Sequence, residues 1–187
     1  MTALSIPVPE ISVKEVLYYM RAGQDESARA IAEEGVSLVR RAADCKIVYE
    51  RFPFSRTDDT VTIGSWTICS KSLSAHLKEC REVVVFGATA GIGVDRVITA
   101  SGNRSGALSL AVDSAGGVLV EAVCDRLEEL IGGKRVFRYS PGYGDFPLSE
   151  QREMANLLKL EKTIGVTLTE GLMLRPTKSV TAIIGIL

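Results

Sequence analysis

Residues 166–187 read Val-Thr-Leu-Thr-Glu-Gly-Leu-Met-Leu-Arg-Pro-Thr-Lys-Ser-Val-Thr-Ala-Ile-Ile-Gly-Ile-Leu. Two runs rich in Val, Ile, Leu and Thr, Val166–Leu174 and Ser179–Leu187, flank the breaker Pro176-Thr177-Lys178. That spacing predicts two closing strands, antiparallel and joined at those three residues. Parallel neighbours would need a crossover of a dozen or more residues between them. The chain therefore reads as α+β: a twisted antiparallel sheet flanked by helices, with an N-terminal helical segment.

Working outward, Ser12-Val-Lys-Glu15 is a capping box that starts a helix at Val13 running to about Met20. Asp25 caps a second helix to about Ala43, with Ala28, Ile31, Ala32, Gly35, Leu38 and Val39 in a 3.6-residue rhythm. Strands are predicted at Lys46–Phe52 and Thr60–Cys69, with a polar loop from Pro53 to Asp59 between them. A short helix follows at Ser72–Cys80, then a buried strand at Glu82–Phe86. Helices are expected at Ile92–Ala100 and Gly106–Ile131, the second ended by Gly132-Gly133. Arg135–Tyr139 reads as a strand and Ser149–Ile164 as a helix. Residues 1–187 are expected to form a single domain, with an arm and helices over 1–44 and an α+β core over 45–187.

Bulk properties exclude several classes. A net charge of −1, with Lys and Arg scattered, leaves no electrostatic footprint for nucleic acid. The N-terminus lacks the basic start and apolar segment of a signal peptide, and no uninterrupted apolar run suits a membrane span. Cys45, Cys69, Cys80 and Cys124 are far apart without a Cys-x-x-Cys pair, which suggests reduced thiols and a cytoplasmic setting. His76 is the one histidine, so a zinc site would need a different ligand set and a Ser-His or Cys-His catalytic pair has one candidate base at most. Trp66 and Tyr18-Tyr19 read as packing residues.

The functional signal lies at 138–147, Arg-Tyr-Ser-Pro-Gly-Tyr-Gly-Asp-Phe-Pro. Two prolines, two glycines and an Asp make it a turn. Arg138 offers a planar fork suited to a carboxylate, Gly142 and Gly144 let a ligand approach bare backbone, and Tyr143 adds a flat face with a hydroxyl. A zwitterionic ligand with a ring system suits such a loop. Glu121 is the single charge in Ala115–Cys124; buried alone it would cost several kcal/mol, so it reaches either solvent or a cation. Asp125 and Glu128 extend the acidic face at i+4 and i+7. Arg138 has a plainer alternative partner in Asp145.

A rival motif, Gly87-Ala-Thr-Ala-Gly91-Ile-Gly93 after Val-Val-Val-Phe, copies the pyrophosphate turn of short-chain dehydrogenases. Against it, little sequence follows, there is no Tyr-x-x-x-Lys, and the region about 20 positions on, Asn103-Arg104-Ser105, carries no acid. The reading preferred here is a tight strand-to-helix turn.

Four ordered segments carry a family resemblance: Arg138-x-x-Pro-Gly-Tyr143, the helix after it, Gly165-x-x-Leu-Thr-Glu170, and Pro176-x-x-Ser-Val180. Together they resemble the activation domain of cobalamin-dependent methionine synthase, well over residues 80–187 and poorly before. The resemblance implies a domain that binds S-adenosylmethionine through Arg138, Ser140, Gly142, Tyr143 and Glu121, with no catalytic acid or base and no metal ligand of its own. It implies contact in trans with the cobalamin of a synthase lacking this domain, and a flavodoxin-like electron donor. On that view the chain is an accessory subunit, inactive alone. The family's N-terminal ligand-binding acid has Asp58 or Asp59 as candidates, and the family's proline after Gly-Tyr is replaced here by Gly144. The alternative is a non-catalytic module that recognises a corrinoid protein without binding adenosylmethionine.

Overall fold

A computed structural model describes residues 1–23 and 25–187. In chain order the strands are β1 (Thr2–Ser5), β2 (Lys46–Arg56), β3 (Thr60–Ile63), β4 (Trp66–Cys69), β5 (Glu82–Thr89), β6 (Thr167–Leu168), β7 (Leu174–Arg175) and β8 (Ser179–Ile186). The helices are α1 (Val13–Tyr19), α2 (Glu26–Ala42), α3 (Lys71–His76), α4 (Ile92–Gly102), α5 (Gly106–Ile131), α6 (Gln151–Leu158) and α7 (Leu160–Ile164), with a single 3-10 turn at Leu148–Glu150 before α6. The main sheet runs β4-β3-β2-β5-β8, with β1 paired to β2 beyond the end of β3. Each recorded strand pairing is antiparallel. The predicted α+β class and antiparallel sheet are what the chain forms.

Strand periodicity divides the interior into two layers. On β5, Val84, Phe86 and Ala88 face one cluster, whereas Val83 and Val85 face the other. β8 repeats the split, with Ala182 and Ile184 on the first side and Ile183 on the second. The first cluster joins the sheet to α1, α2, α4 and α5; the second joins it to α3, α6 and α7. Covering both faces explains why β5 and β8 are apolar almost throughout despite being antiparallel. Ser12 and Asp25 cap α1 and α2 as their sequence positions predict, by accepting from the Glu15 and Ser27 amides. Helix α5 is long and apolar enough to cross a membrane, but 61% of its apolar window is buried inside the fold, which fits a core helix.

Several expected boundaries differ. The closing strands do not pair with each other: β8 pairs with β5 over eight residues, while the segment before it makes its own small hairpin, β6–β7. The eight consecutive residues of β8 offer a far longer hydrophobic ladder to β5 than the two-residue β6 and β7 could. Arg135–Tyr139 is not a regular strand but touches β8 through two isolated bridges, Arg135 to Ile186 and Tyr139 to Ile183. The 60–69 strand is a hairpin that turns at Gly64, where φ is 60°. β2 continues through Pro53, which sits opposite Glu82, to Arg56. The predicted 149–164 helix breaks at Lys159, which is left-handed at φ 49°.

The glycine turn after β5 packs backbone on backbone. A Cβ at Gly91 would lie 2.8 Å from the Asp44 carbonyl oxygen, and one at Gly93 would overlap that of Ala42. The close approach receives the end of α2, not a phosphate. Gly93→Ala is therefore expected to destabilise the fold by about 2 kcal/mol. Gly117→Ala, in the middle of α5 with open space at its Cβ, is expected to stabilise it by about 0.5–1 kcal/mol. Denaturant midpoints of the two variants provide the comparison.

Candidate functional site

Helix α5 turns one acidic stripe toward the returning chain. Glu121, Asp125 and Glu128 are spaced i, i+4 and i+7, so they share a face. Gly132 and Gly133, at φ 60° and 76°, reverse the backbone, and the bridges to β8 then lay Arg138 against the stripe. Its Nη2 donates to Glu121 at 2.5 Å, and its Nη1 donates to Asp125 at 2.9 Å and to Glu128 at 2.5 Å. Arg135 binds the other oxygen of Glu128 at 3.1 Å. The Arg138 side chain is only 11% exposed, whereas Glu121 is 52% and Asp125 66% exposed. Burial alone would favour loss of the Arg138 proton, yet hydrogen bonds to the three carboxylates, Glu121 foremost, hold the guanidinium's pKa above its usual value. Beneath it, burial pushes the Cys124 thiol up to about 12, so this cysteine is no nucleophile.

Glu121 thus both reaches solvent and meets a cation of the chain, and Arg138 pairs with the α5 acids rather than with Asp145. Asp145 has a different task. It accepts from Ser70 Oγ at 2.5 Å, from the Lys71 amide at 2.9 Å, and from the Ser72 amide and hydroxyl at 3.1 and 2.5 Å. This clasps the loop to the N-terminal turn of α3. The hydroxyls of Ser70 and then Ser72 hold the Asp145 carboxyl well below the usual carboxylate range. Within the loop, Gly142 N–H donates to Phe146 O at 2.8 Å and Tyr143 N–H to Ser140 O at 3.1 Å. Gly144, at φ 54°, has no room for a side chain: its Cβ would lie 2.6 Å from Ser72 Oγ and 2.7 Å from the Tyr139 hydroxyl. The positive φ and the lack of room together make glycine the residue that fits here. Phe146 is buried behind the loop, stacked on Tyr139, while Tyr143 stands 52% exposed, edge-on to Tyr139 at 5.7 Å.

These elements enclose a cavity of about 680 Å³, within the range of small-molecule sites. Glu121, Arg138, Ser140 and Tyr143 line one part of it and the 169–175 segment another, with Thr177, Ser179, Val180 and Thr181 also in its wall. Gly142 shapes the turn without itself lining the space. The cavity is polar at Glu121, Ser140 and Thr181, aromatic at Tyr143 and apolar at Leu172 and Leu174, a mixture that suits a charged nucleoside. Asp58 and Asp59 are not among the lining residues; Asp59 accepts from Thr57 Oγ1 in the β2–β3 turn. Phe137, Leu148, Gln151 and the Leu172–Arg175 wall were not foreseen as site residues, although Pro176-x-x-Ser-Val180 pointed to the neighbouring stretch. Among the described residues no group of His, Cys, Asp and Glu is placed to hold a metal ion.

Residues 133–186 match the family described as the vitamin B12-dependent methionine synthase activation domain. A solved structure, the MetH reactivation domain bound to AdoHcy, superposes with a TM-score of 0.72 at 16% identity, covering 98% of this chain and 77% of that one. The chain has the fold of the MetH reactivation domain. A comparison with curated proteins gave no match. All four sequence segments fall within the stretch that matches the family, which also includes the loop and the β8 residues that line the cavity.

Because the folded-state pKa of Asp145 lies below its unfolded value, its contribution is complete above about pH 4 and is lost as the pH falls below that. Asp145→Asn should lower the melting temperature at pH 7, and in thermal melts the gap should begin to narrow below about pH 4 yet still be present at about pH 3, closing only where the native carboxyl itself takes up a proton.

Proposed function

We propose that this chain binds S-adenosylmethionine and presents it to the oxidised cobalamin of a methionine synthase on another polypeptide. The observation that carries the proposal is convergence: Glu121 of α5, the turn carrying Arg138, Ser140 and Tyr143, and the stretch from Leu172 to Thr181, three separate segments of the chain, line one cavity. Charge supports it. Two guanidiniums against three carboxylates leave the cluster of Arg135, Arg138, Glu121, Asp125 and Glu128 one negative charge, and Glu121 is its acid on the cavity wall, where a ligand's sulfonium or ammonium would meet it. Glu121, half exposed and steadied by Arg138, is the group that meets that positive charge.

The lining also carries exposed apolar side chains, Phe137 at 66%, Met173 at 65%, Tyr143 at 52% and Leu148 at 42%. Large apolar groups gathered at a cavity mark a docking surface, and a flat corrin face presented by the partner suits them. When bound, S-adenosylmethionine supplies an electrophilic methyl group and leaves as a neutral thioether; the electron comes from a flavodoxin-like donor. The chain's own residues need no acid or base. They orient the ligand and exclude water, and holding the reacting groups in line removes much of the entropic barrier. The cysteines are all free, which fits a reducing, cytoplasmic compartment.

One observation favours a module that docks on a corrinoid protein without the nucleoside: Arg138 already spends three of its five N–H groups on protein carboxylates. Calorimetric titration separates the readings. The adenosylmethionine reading expects saturable binding by wild type, weakened about tenfold in Glu121→Gln and in Tyr143→Ala. It also expects that adding the chain, a reductant and adenosylmethionine to an oxidised synthase without its own activation domain restores methionine synthesis. Absence of binding with retained association to the synthase would establish the module instead.

A further inference from the structure

Among the described residues, two cations line the cavity, Arg138 and Arg175, and their circumstances are opposite. Arg138 is held by three carboxylates. A ligand carboxylate approaching it would meet Glu121 and Asp125, both more than half exposed on the same side, and like charges at that range repel. Arg175 is exposed and makes no ion pair among the described residues. The acids that share the adjoining cleft with it, Asp95 and Asp113, are engaged elsewhere. Asp95 accepts from the Thr177 amide and hydroxyl, each at 2.9 Å, and Asp113 binds Lys178 at 2.8 Å.

The backbone under Arg175 is nevertheless fixed. It pairs with Thr167 across the β6–β7 hairpin, and the Asp95 clasp on Thr177 holds the chain two residues on. We infer that Arg175, not Arg138, anchors the carboxylate of the ligand's amino-acid tail, while the acidic stripe of α5 takes the ammonium. The inference rests on the adenosylmethionine reading and adds to it a specificity-determining residue outside the Arg138–Tyr143 turn. A guanidinium with no internal partner loses no protein contact when it closes on a carboxylate, and its planar fork matches two oxygens at once. The two charges of an α-amino acid sit on one carbon, and a cation on β7 and an anion on α5 that line the same cavity offer an opposite charge to each.

The test titrates the full chain with S-adenosylmethionine and with its decarboxylated form, which keeps the sulfonium and ammonium and lacks only the carboxylate. Arg175→Ala should weaken S-adenosylmethionine about tenfold or more, bringing it to the affinity of the decarboxylated ligand, and should leave the latter within about twofold of wild type. Arg175→Lys should restore part of the loss as a charge without the fork. Wild-type-like binding of S-adenosylmethionine by Arg175→Ala overturns the inference alone. So does an equal loss for both ligands, which would make Arg175 a wall rather than a reader of the carboxylate. Wild type that binds neither ligand overturns the adenosylmethionine reading and this inference together.

Discussion

The pairing of β8 with β5 is the constraint on which the remainder of the structure depends. Eight residue pairs, from Glu82 with Ile186 to Thr89 with Ser179, place β8 beside the most apolar strand of the sheet. One edge of β8 is thereby satisfied, and the other is left to receive the chain emerging from α5. It does so through the Val136 amide on Gly185 O at 3.0 Å and a reciprocal pair between Tyr139 and Ile183 at 2.8 and 2.9 Å. Those main-chain bonds set where Arg138 can point. A guanidinium carried between two bridges to the sheet comes to rest on the acidic face of α5, and the turn that follows begins at a fixed position. Without β8 in place, the sequence from Arg135 to Asp145 would have no edge to follow.

The electrostatics of the site then follow from packing. A buried guanidinium is costly unless its N–H groups are met, and the stripe of three acids meets most of them. The same arrangement solves the opposite problem for α5, whose C-terminal half carries these acids near the negative end of its dipole. Glu128, touching both Arg135 and Arg138, ties the two sides of the Gly132-Gly133 reversal together. On the far side of the turn, Asp145 does for α3 what a capping residue within the helix would do, so the loop is anchored at both ends by charge. In its middle, Ser140, Pro141 and Tyr143 face the cavity.

Much of this was legible in residue order, and the parts that were not have identifiable reasons. Capping residues such as Ser12 and Asp25, the unbroken apolar run of β5 and the Gly132-Gly133 stop are local signals, and local signals survive without tertiary knowledge. The Arg138–Pro147 turn was recognisable because prolines and glycines constrain backbone directly. Partner choice was not legible. Nothing in Val166–Leu187 says that its last strand prefers β5 over its nearer neighbour, since a nearly continuous apolar run suits either. Likewise Arg138 and Asp145 were candidates for each other, and only the fold shows that one faces α5 while the other caps α3. Tyr18 and Tyr19, read as packing residues, stand 79% and 57% exposed, because α1 turns its valines inward and leaves them on its outer side. Lys159 broke a helix with no glycine or proline to announce it.

The distance along the chain between the pieces of the cavity governs the order in which it comes into being. A nascent polypeptide that has released α5 already displays Glu121, Asp125 and Glu128, but it does so as a row of mutually repelling charges with no counter-ion. Arg138 follows soon after, yet it has no ladder to dock on until residues 179–186 can reach β5. Closing that long loop is the slow, entropically expensive step in forming non-local sheet pairs. The pocket is consequently a late product of maturation, and small-molecule recognition there reports on completion of the whole sheet.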